Sequence, residues 1–168
     1  MHHVTEPTSE PGAVGTASTT PRWLDPDEMR FWRGFIEVSG RALDAINADL
    51  RADADLTHDD YEVLVRLSEA PDRRMRMSEL ADQVIQSRSR LTQRVDRLVE
   101  RGLVERQRCP EDRRGMLAAL TDDGFRTLAD AAPAHVESVR RHLIDRLGPE
   151  QIRAGADVFE AVVATCDE

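Results

Sequence analysis

Apolar residues along the chain recur mostly at helical spacing. Asp25-Pro26-Asp27-Glu28 combines an acidic N-cap, a first-turn proline and early carboxylates, a strong helix start. Trp32, Phe35, Ile36, Leu43, Ile46 and Leu50 follow at helical intervals. Thr57-His58-Asp59-Asp60 opens a second helix with Tyr61, Val63, Leu64, Val65 and Leu67 as its apolar face, closed by Ala70-Pro71-Asp72. Arg74-Met75-Arg76-Met77 alternates like a very short strand. Ser78 is expected to cap a third helix over residues 79–84. The polar turn Ile85-Gln86-Ser87 leads to a fourth helix that stops at Gly102. Leu103-Val104-Glu105-Arg106 alternates as a strand, a polar hairpin follows, and Met116 to Leu120 returns. Thr121-Asp122-Asp123-Gly124 caps a fifth helix to about Leu147, which Pro133 is expected to kink near Asp130. Gly148-Pro149-Glu150 restarts a sixth helix to about Thr165.

Two short helices around a tight polar turn, followed at once by a hairpin, predict a mainly α fold: a winged helix-turn-helix with a small β-hairpin wing and flanking helices at both ends. Residues 1–22, rich in Thr, Ser, Pro, Gly and Glu, are expected to be a disordered tail. Residues 23–168 suit a single domain, with a DNA-binding lobe over 57–121 and flanking helices over 24–54 and 122–166. Residues 1–21 lack the apolar block of a secretory signal, and no apolar run approaches the roughly 18 residues of a membrane span. Cys109 and Cys166 give no disulfide framework, so a cytoplasmic location is expected, with no membrane partner.

The net charge of −9 hides an uneven distribution. Every basic residue is arginine. Between Arg73 and Arg114 stand 12 Arg against 7 Asp and Glu, a local +5, and the remainder carries −14. One basic segment on an acidic body can bind a polyanion while the rest repels it. Within that segment the fourth helix has Leu91, Val95, Leu98 and Val99 as its buried stripe, with Ser89, Gln93, Asp96 and Glu100 opposite. Arg90, Arg94, Arg97 and Arg101 run along one edge. A recognition helix reads base edges with its first two turns, which points to Ser87, Arg88, Ser89, Arg90 and Gln93. Arginine forks onto guanine and glutamine onto adenine, each pair discriminating by about 1–3 kcal/mol. Arg94 and Arg97 suit the phosphate backbone. Alone, the helix also reads as an amphipathic surface helix with ion pairs at i, i+4; the basic-tipped hairpin that follows shifts the reading toward DNA.

Other chemistries find less support. The sequence has no Gly-rich phosphate loop, nucleophile elbow or HExxH helix, so an enzyme is not expected. His135 and His142 lie two helical turns apart, about 10.5 Å along the axis, too far for one zinc; no metal and no cofactor are expected. Cys109, beside Arg108 at the wing base, reads as a passive surface cysteine, with oxidation-dependent regulation as an alternative. A winged helix that binds protein without a DNA role is a further alternative.

The run from Ser78 to Gly124 resembles the MarR family of bacterial transcriptional regulators. The likeness is most specific in the wing signature, Asp-x-Arg followed by Leu-Thr-x-x-Gly, at Asp112, Arg114, Leu120, Thr121 and Gly124. With the flanking helices it extends over roughly residues 24–166. The resemblance implies a homodimer joined through the first and last two helices, binding a palindromic operator in double-stranded DNA, most often as a repressor. It implies that Arg114 enters the minor groove while Asp112 braces the wing, with Arg113 as an additional cation. It also implies a small aromatic or apolar effector between the dimerisation helices and the lobe, with Trp32, Phe35, Tyr61 and Arg66 as candidate lining residues. Independently of the family, the apolar residues of the last two helices, among them Phe125, Val136, Val158, Phe159 and Val162, exceed what a lone winged helix covers.

Overall fold

The computed structural model describes residues 21–109 and 115–166. Residues 1–20 of the expected tail lie outside them, as does the wing tip with Asp112, Arg113 and Arg114. Six helices and a three-stranded sheet follow the order read from the sequence. Helix α1 (Pro26–Ala54) starts with a reciprocal capping box: the Asp25 carboxylate accepts from the Asp27 and Glu28 N–H groups, and Glu28 accepts from the Asp25 N–H. Helix α2 (His58–Glu69) repeats the device with Thr57 and Asp60.

Strand β1 (Arg74–Arg76) runs straight into α3 (Met77–Gln83). That helix starts ahead of Ser78: Arg76, paired with Leu117 in the sheet, is its N-cap, and a guanidinium has no acceptor with which to cap the first N–H groups. After the turn, Ser87 caps α4 (Arg88–Glu100) by accepting from the Arg90 N–H. Gly102, at φ 72°, takes the left-handed position just beyond α4 that a side chain would strain. Strands β2 (Val104–Arg108) and β3 (Met116–Leu120) form the wing hairpin, with Val104 opposite Leu120 and Arg108 opposite Met116. The antiparallel sheet has the order β1-β3-β2.

Helix α5 (Asp122–His142) continues through Pro133 as one element, so the proline does not divide it. It is shorter than the apolar spacing suggests: Leu143 leaves helical geometry and a 3-10 turn (Ile144–Arg146) leads to α6 (Pro149–Cys166). The core lies where α2, α3 and α4 close on the sheet. Leu56, Leu64, Leu67, Leu80, Leu91, Val95, Leu98 and Val104 are fully buried there. No described side chain of α6 is buried.

The Leu-Thr-x-x-Gly motif has a packing explanation. Leu120 belongs to the core. Thr121 caps α5 by accepting from the Gly124 N–H at 2.9 Å, and its hydroxyl donates to the Gly102 carbonyl at 2.7 Å. Gly124 is buried against the Leu103 carbonyl, which a Cβ there would meet at 2.0 Å. The motif fastens the first turn of α5 onto the end of the recognition helix and the start of the wing.

A polar seam joins α1 to α5. Asp49 accepts from Ser138 Oγ at 2.6 Å, from the Arg141 guanidinium at 2.7 Å and from His142 Nε2 at 2.9 Å. Those three bonds, Ser138 first, lower the Asp49 carboxyl to about 2. Ser138 is 1% exposed, so its hydroxyl is a buried polar group that needs this partner.

Candidate nucleic-acid interface

The fourth helix presents an outward face built as its periodicity requires. Leu91, Val95 and Leu98 fix one side in the core, which turns Ser87, Arg88, Ser89, Arg90, Gln93 and Arg97 to solvent. The serines do not compete for the arginines: Ser87 Oγ caps the helix and lies 3.3 Å from Ser89 Oγ. Among the described residues, Arg88, Arg90 and Arg97 make no ion pair, so their guanidinium groups are available to an anion. Arg101 pairs loosely with Asp55 at 3.5 Å. The wing stem is braced against the same helix by Arg106, which donates to Asp96 at 2.8 Å and to the Thr92 carbonyl at 3.2 Å. At the base of the wing the Cys109 N–H donates to the Gly115 carbonyl at 3.0 Å.

Arg94 departs from the expected row of four. Its side chain is 12% exposed and faces α2, where the fork donates to Thr57 Oγ1 at 3.0 Å, to Asp60 Oδ1 at 2.8 Å and to the Asp59 carboxylate. Its Nε donates to Gln86 Oε1 at 3.3 Å. The expectation of a phosphate contact is corrected by this geometry: the guanidinium is occupied from inside the protein. The sequence carried the signal, since position 94 lies three residues after Leu91 and four before Leu98, on the border of the buried stripe. The acidic first turn of α2, read only as a helix start, supplies the partners. Beside this group a cleft of about 390 Å³ is lined by Arg90, Gln93, Arg94 and Arg97 on one side and Asp59 and Glu62 on the other.

The turn between α3 and α4 also differs from its reading as simply polar. Ile85 sits there at φ 49° and 93% exposed, an unusual place for a β-branched residue. Cys109 is buried rather than on the surface, and it lines a cleft together with Met75 and Leu117.

The four candidate effector residues fall in different surroundings. Trp32 and Phe35 stack at 6.2 Å between ring centroids, Phe35 meets Phe159 of α6 at 6.2 Å, and both α1 rings remain exposed. Tyr61 is buried against His135, at 4.2 Å between centroids. Among the described residues Arg66 pairs with Glu62, at 3.8 Å. His135 is separated from His142 by its role: the first packs on Tyr61 and near His58, the second bonds Asp49. Burial and then the neighbouring His58 push the His135 pKa below its ordinary value. Burial also raises the Tyr61 hydroxyl. No group of three or more His, Cys, Asp or Glu side chains that could hold a metal ion forms among the described residues. Among the described residues, no helix is long and apolar enough to cross a membrane.

The MarR family model matches residues 56–116, which run from the start of α2 to the first residue of β3. No curated protein matches the chain. Among solved structures, Sco3205 from Streptomyces coelicolor, a MarR family transcriptional regulator in complex with DNA, is 43% identical, with a TM-score of 0.81 over 85% of this chain and 90% of that one. AbsC, a MarR family transcriptional regulator from the same organism, is 41% identical, with a TM-score of 0.81 over 88% and 99%. A mutant MarR from E. coli complexed with operator DNA shares the fold, at 24% identity and a TM-score of 0.73 over 81% and 95%. With more than two-fifths identity over most of both chains, this protein belongs to the MarR family of transcriptional regulators.

Proposed function

We propose that the chain is a homodimeric, sequence-specific DNA-binding regulator, acting as a repressor at a palindromic operator and released by a small aromatic or apolar effector. The observation that carries this reading is the exposed face of α4: Ser87, Arg88, Ser89, Arg90, Gln93 and Arg97 point outward on a chain of net charge −9, and its arginines at 88, 90 and 97 have no carboxylate partner among the described residues. Ser87, Arg88, Ser89, Arg90 and Gln93 then enter the major groove, where the arginines and Gln93 read base edges, while Arg97 holds the backbone. Arg113 and Arg114 at the wing tip take the narrow minor groove, with Asp112 as their brace. These groups recognise and hold a ligand; the reading is of a binding protein, not of an enzyme, and it places the protein in the cytoplasm.

The dimer reading rests on the outer helices. Phe31, Trp32, Ile36 and Val38 of α1 and Phe159, Val162 and Val163 of α6 are exposed together on the flanking layer. A twofold partner laid on these helices (24–54 and 122–166) covers them and sets two lobes (57–121) side by side. Trp32 and Phe35 belong to this face on exposure grounds, which leaves Tyr61 and Arg66 as the candidate residues nearest the lobe for an effector.

The test is enrichment of duplexes from a random-sequence pool by the full chain, then anisotropy titration of the enriched duplex and a scrambled one at two salt concentrations. The expected product is a palindrome with half-sites centred about 10 base pairs apart and bound at least about a thousandfold more tightly than the scrambled duplex. Equal, steeply salt-dependent binding to every duplex overturns the reading.

A further inference from the structure

Of the cations on α4, the one deepest in the protein is the one with the most partners. Arg94 presents its fork to three places at once: the N-cap of α2 (Thr57), its first turn (Asp59 and Asp60) and the turn before α4 (Gln86). Asp60 is 9% exposed and also closes the α2 capping box through the Thr57 N–H at 3.1 Å. Burial by itself would raise the Asp60 carboxyl; the Thr57 hydroxyl and N–H and the Arg94 guanidinium outweigh it and hold the group below its ordinary value. The pair is therefore ionised. A buried ion pair contributes little net stability compared with apolar packing, and its best-attested use is to fix one geometry over others.

A phosphate at this point would meet two carboxylates beside one guanidinium, a cluster of formal charge −1, and would have to strip Arg94 from all its bonds. We propose instead that Arg94 is a positioning residue: it clamps the recognition helix to the N-terminus of α2 and so sets the angle at which Ser87 to Gln93 enter the groove. The inference rests on the DNA-binding reading above. The planar fork is essential, because a lysine ammonium is a single point of charge and cannot span Asp59, Asp60, Thr57 and Gln86 together. Arg97, three residues later, is exposed and without an ion pair among the described residues, which makes it the natural phosphate-binding comparator.

The test compares Arg94→Met, Arg94→Lys, Asp60→Asn and Arg97→Ala in the full chain on the pool-enriched duplex and the scrambled duplex across a salt series. Arg94→Met and Arg94→Lys are expected to weaken the enriched duplex by about tenfold to a hundredfold, the value of one displaced base contact. Scrambled-duplex affinity and the salt slope stay unchanged. Arg97→Ala is expected to weaken both duplexes and lower the slope by about one. Asp60→Asn separates the ideas by sign: it removes a negative charge, so simple attraction predicts tighter binding, whereas a lost clamp predicts weaker binding to the enriched duplex alone. A general loss of folded protein would weaken both duplexes equally and leave their ratio unmoved. The inference is overturned if Arg94→Met lowers the slope by about one on both duplexes, or if Asp60→Asn binds the enriched duplex as well as or better than wild type. Should Arg94→Met not fold, Arg94→Lys decides by the same outcomes. Failure of the wild-type chain to enrich any duplex overturns the DNA-binding reading first and this inference with it.

Discussion

Leu56, Leu64, Leu67, Leu80, Leu91 and Leu98 of the winged-helix lobe keep at most 1% of their surface, while Phe159, Val162 and Val163 of α6 keep 52%, 54% and 63%. Both sets are apolar and both lie at helical spacing. The lobe buries its stripe because three helices meet on a sheet within one chain. Among the described residues the outer layer has an apolar stripe on α6 and another on α1 but no third surface that closes over them. Apolar periodicity thus says that a face will be covered; whether the cover comes from the same chain depends on what the topology brings to it. The Asp49 seam lies within the outer layer, holding α1 on α5 with a carboxylate where the lobe uses leucine.

If the lobe is complete in itself, its tightest backbone contact should be its weakest point under substitution. Gly124→Ala brings a Cβ to 2.0 Å from the Leu103 carbonyl, a backbone atom that cannot swing aside. The expected loss is at least about 3 kcal/mol, the upper range for overpacking, measured by denaturant unfolding with the sheet and α5 lost together. Near-native stability for this variant would mean that the fastening of α5 onto the wing is looser than its geometry. The next contrast sets the two regions side by side. Leu98→Ala should cost about 2–5 kcal/mol at any protein concentration. In the proposed twofold interface Phe159→Ala acts twice, at about 1.5–3 kcal/mol for each ring. It should raise the dimer dissociation constant at least about a hundredfold while leaving the unfolding of the lobe in place. Analytical ultracentrifugation over a concentration series reads that split. An unchanged dimer in Phe159→Ala would put the interface elsewhere.

Most of this layout was readable in the chain, for physical reasons that also explain the gaps. The caps at Asp25, Thr57 and Thr121 are local, set by a side chain and the N–H groups two or three residues on, so sequence adjacency suffices to find them. The short β1 and the hairpin were visible as alternation beside turn residues. The start of α3 was displaced because a strand partner, Leu117, holds Arg76 from 41 positions away. On the candidate interface, the helical wheel placed Ser87, Arg88, Ser89, Arg90, Gln93 and Arg97 outward, as they are. It placed Arg94 with them, because a wheel records angle and not what stands across from a side chain. The acidic turn of α2 lies more than thirty positions earlier, and only the fold brings Asp59 and Asp60 to that arginine. Cys109 was missed for the same reason: β2 alone does not reveal that Met75 and Leu117 line a cleft with the residue that follows it.

The seam offers a test of the outer layer by pH. Asp49 titrates at about 2 when folded and at 3.8 in an unstructured chain, so its folded-state pKa is depressed. The stability it supplies is complete above the unfolded value and is lost as pH falls through about 2. Wild type should therefore lose melting temperature between these two values more steeply than Asp49→Asn, and the two curves should converge at the acid end. Parallel curves would show that Ser138, Arg141 and His142 hold the carboxylate too weakly to matter to the fold.

The smallest effect expected belongs to His135, which sits where the two regions touch, on α5 against Tyr61 of the lobe. Its ring is half-buried, burial and the nearby His58 lower its pKa, and its Nδ1 has no hydrogen-bond partner among the described residues. Because the folded state disfavours the proton, the stabilising contribution is complete above the unfolded value of 6.5 and is lost as pH falls below it. Protonation places a charge on the Tyr61 stack beside a second imidazole, which loosens α5 from the lobe without touching α4. Melting temperature followed from pH 7.5 down to 5 (a range chosen to bracket that value) should fall for wild type and stay flatter for His135→Phe, which keeps a ring on Tyr61 and cannot charge. A His135→Phe variant with the same slope as wild type would show that the contact between lobe and outer layer is insensitive to acid.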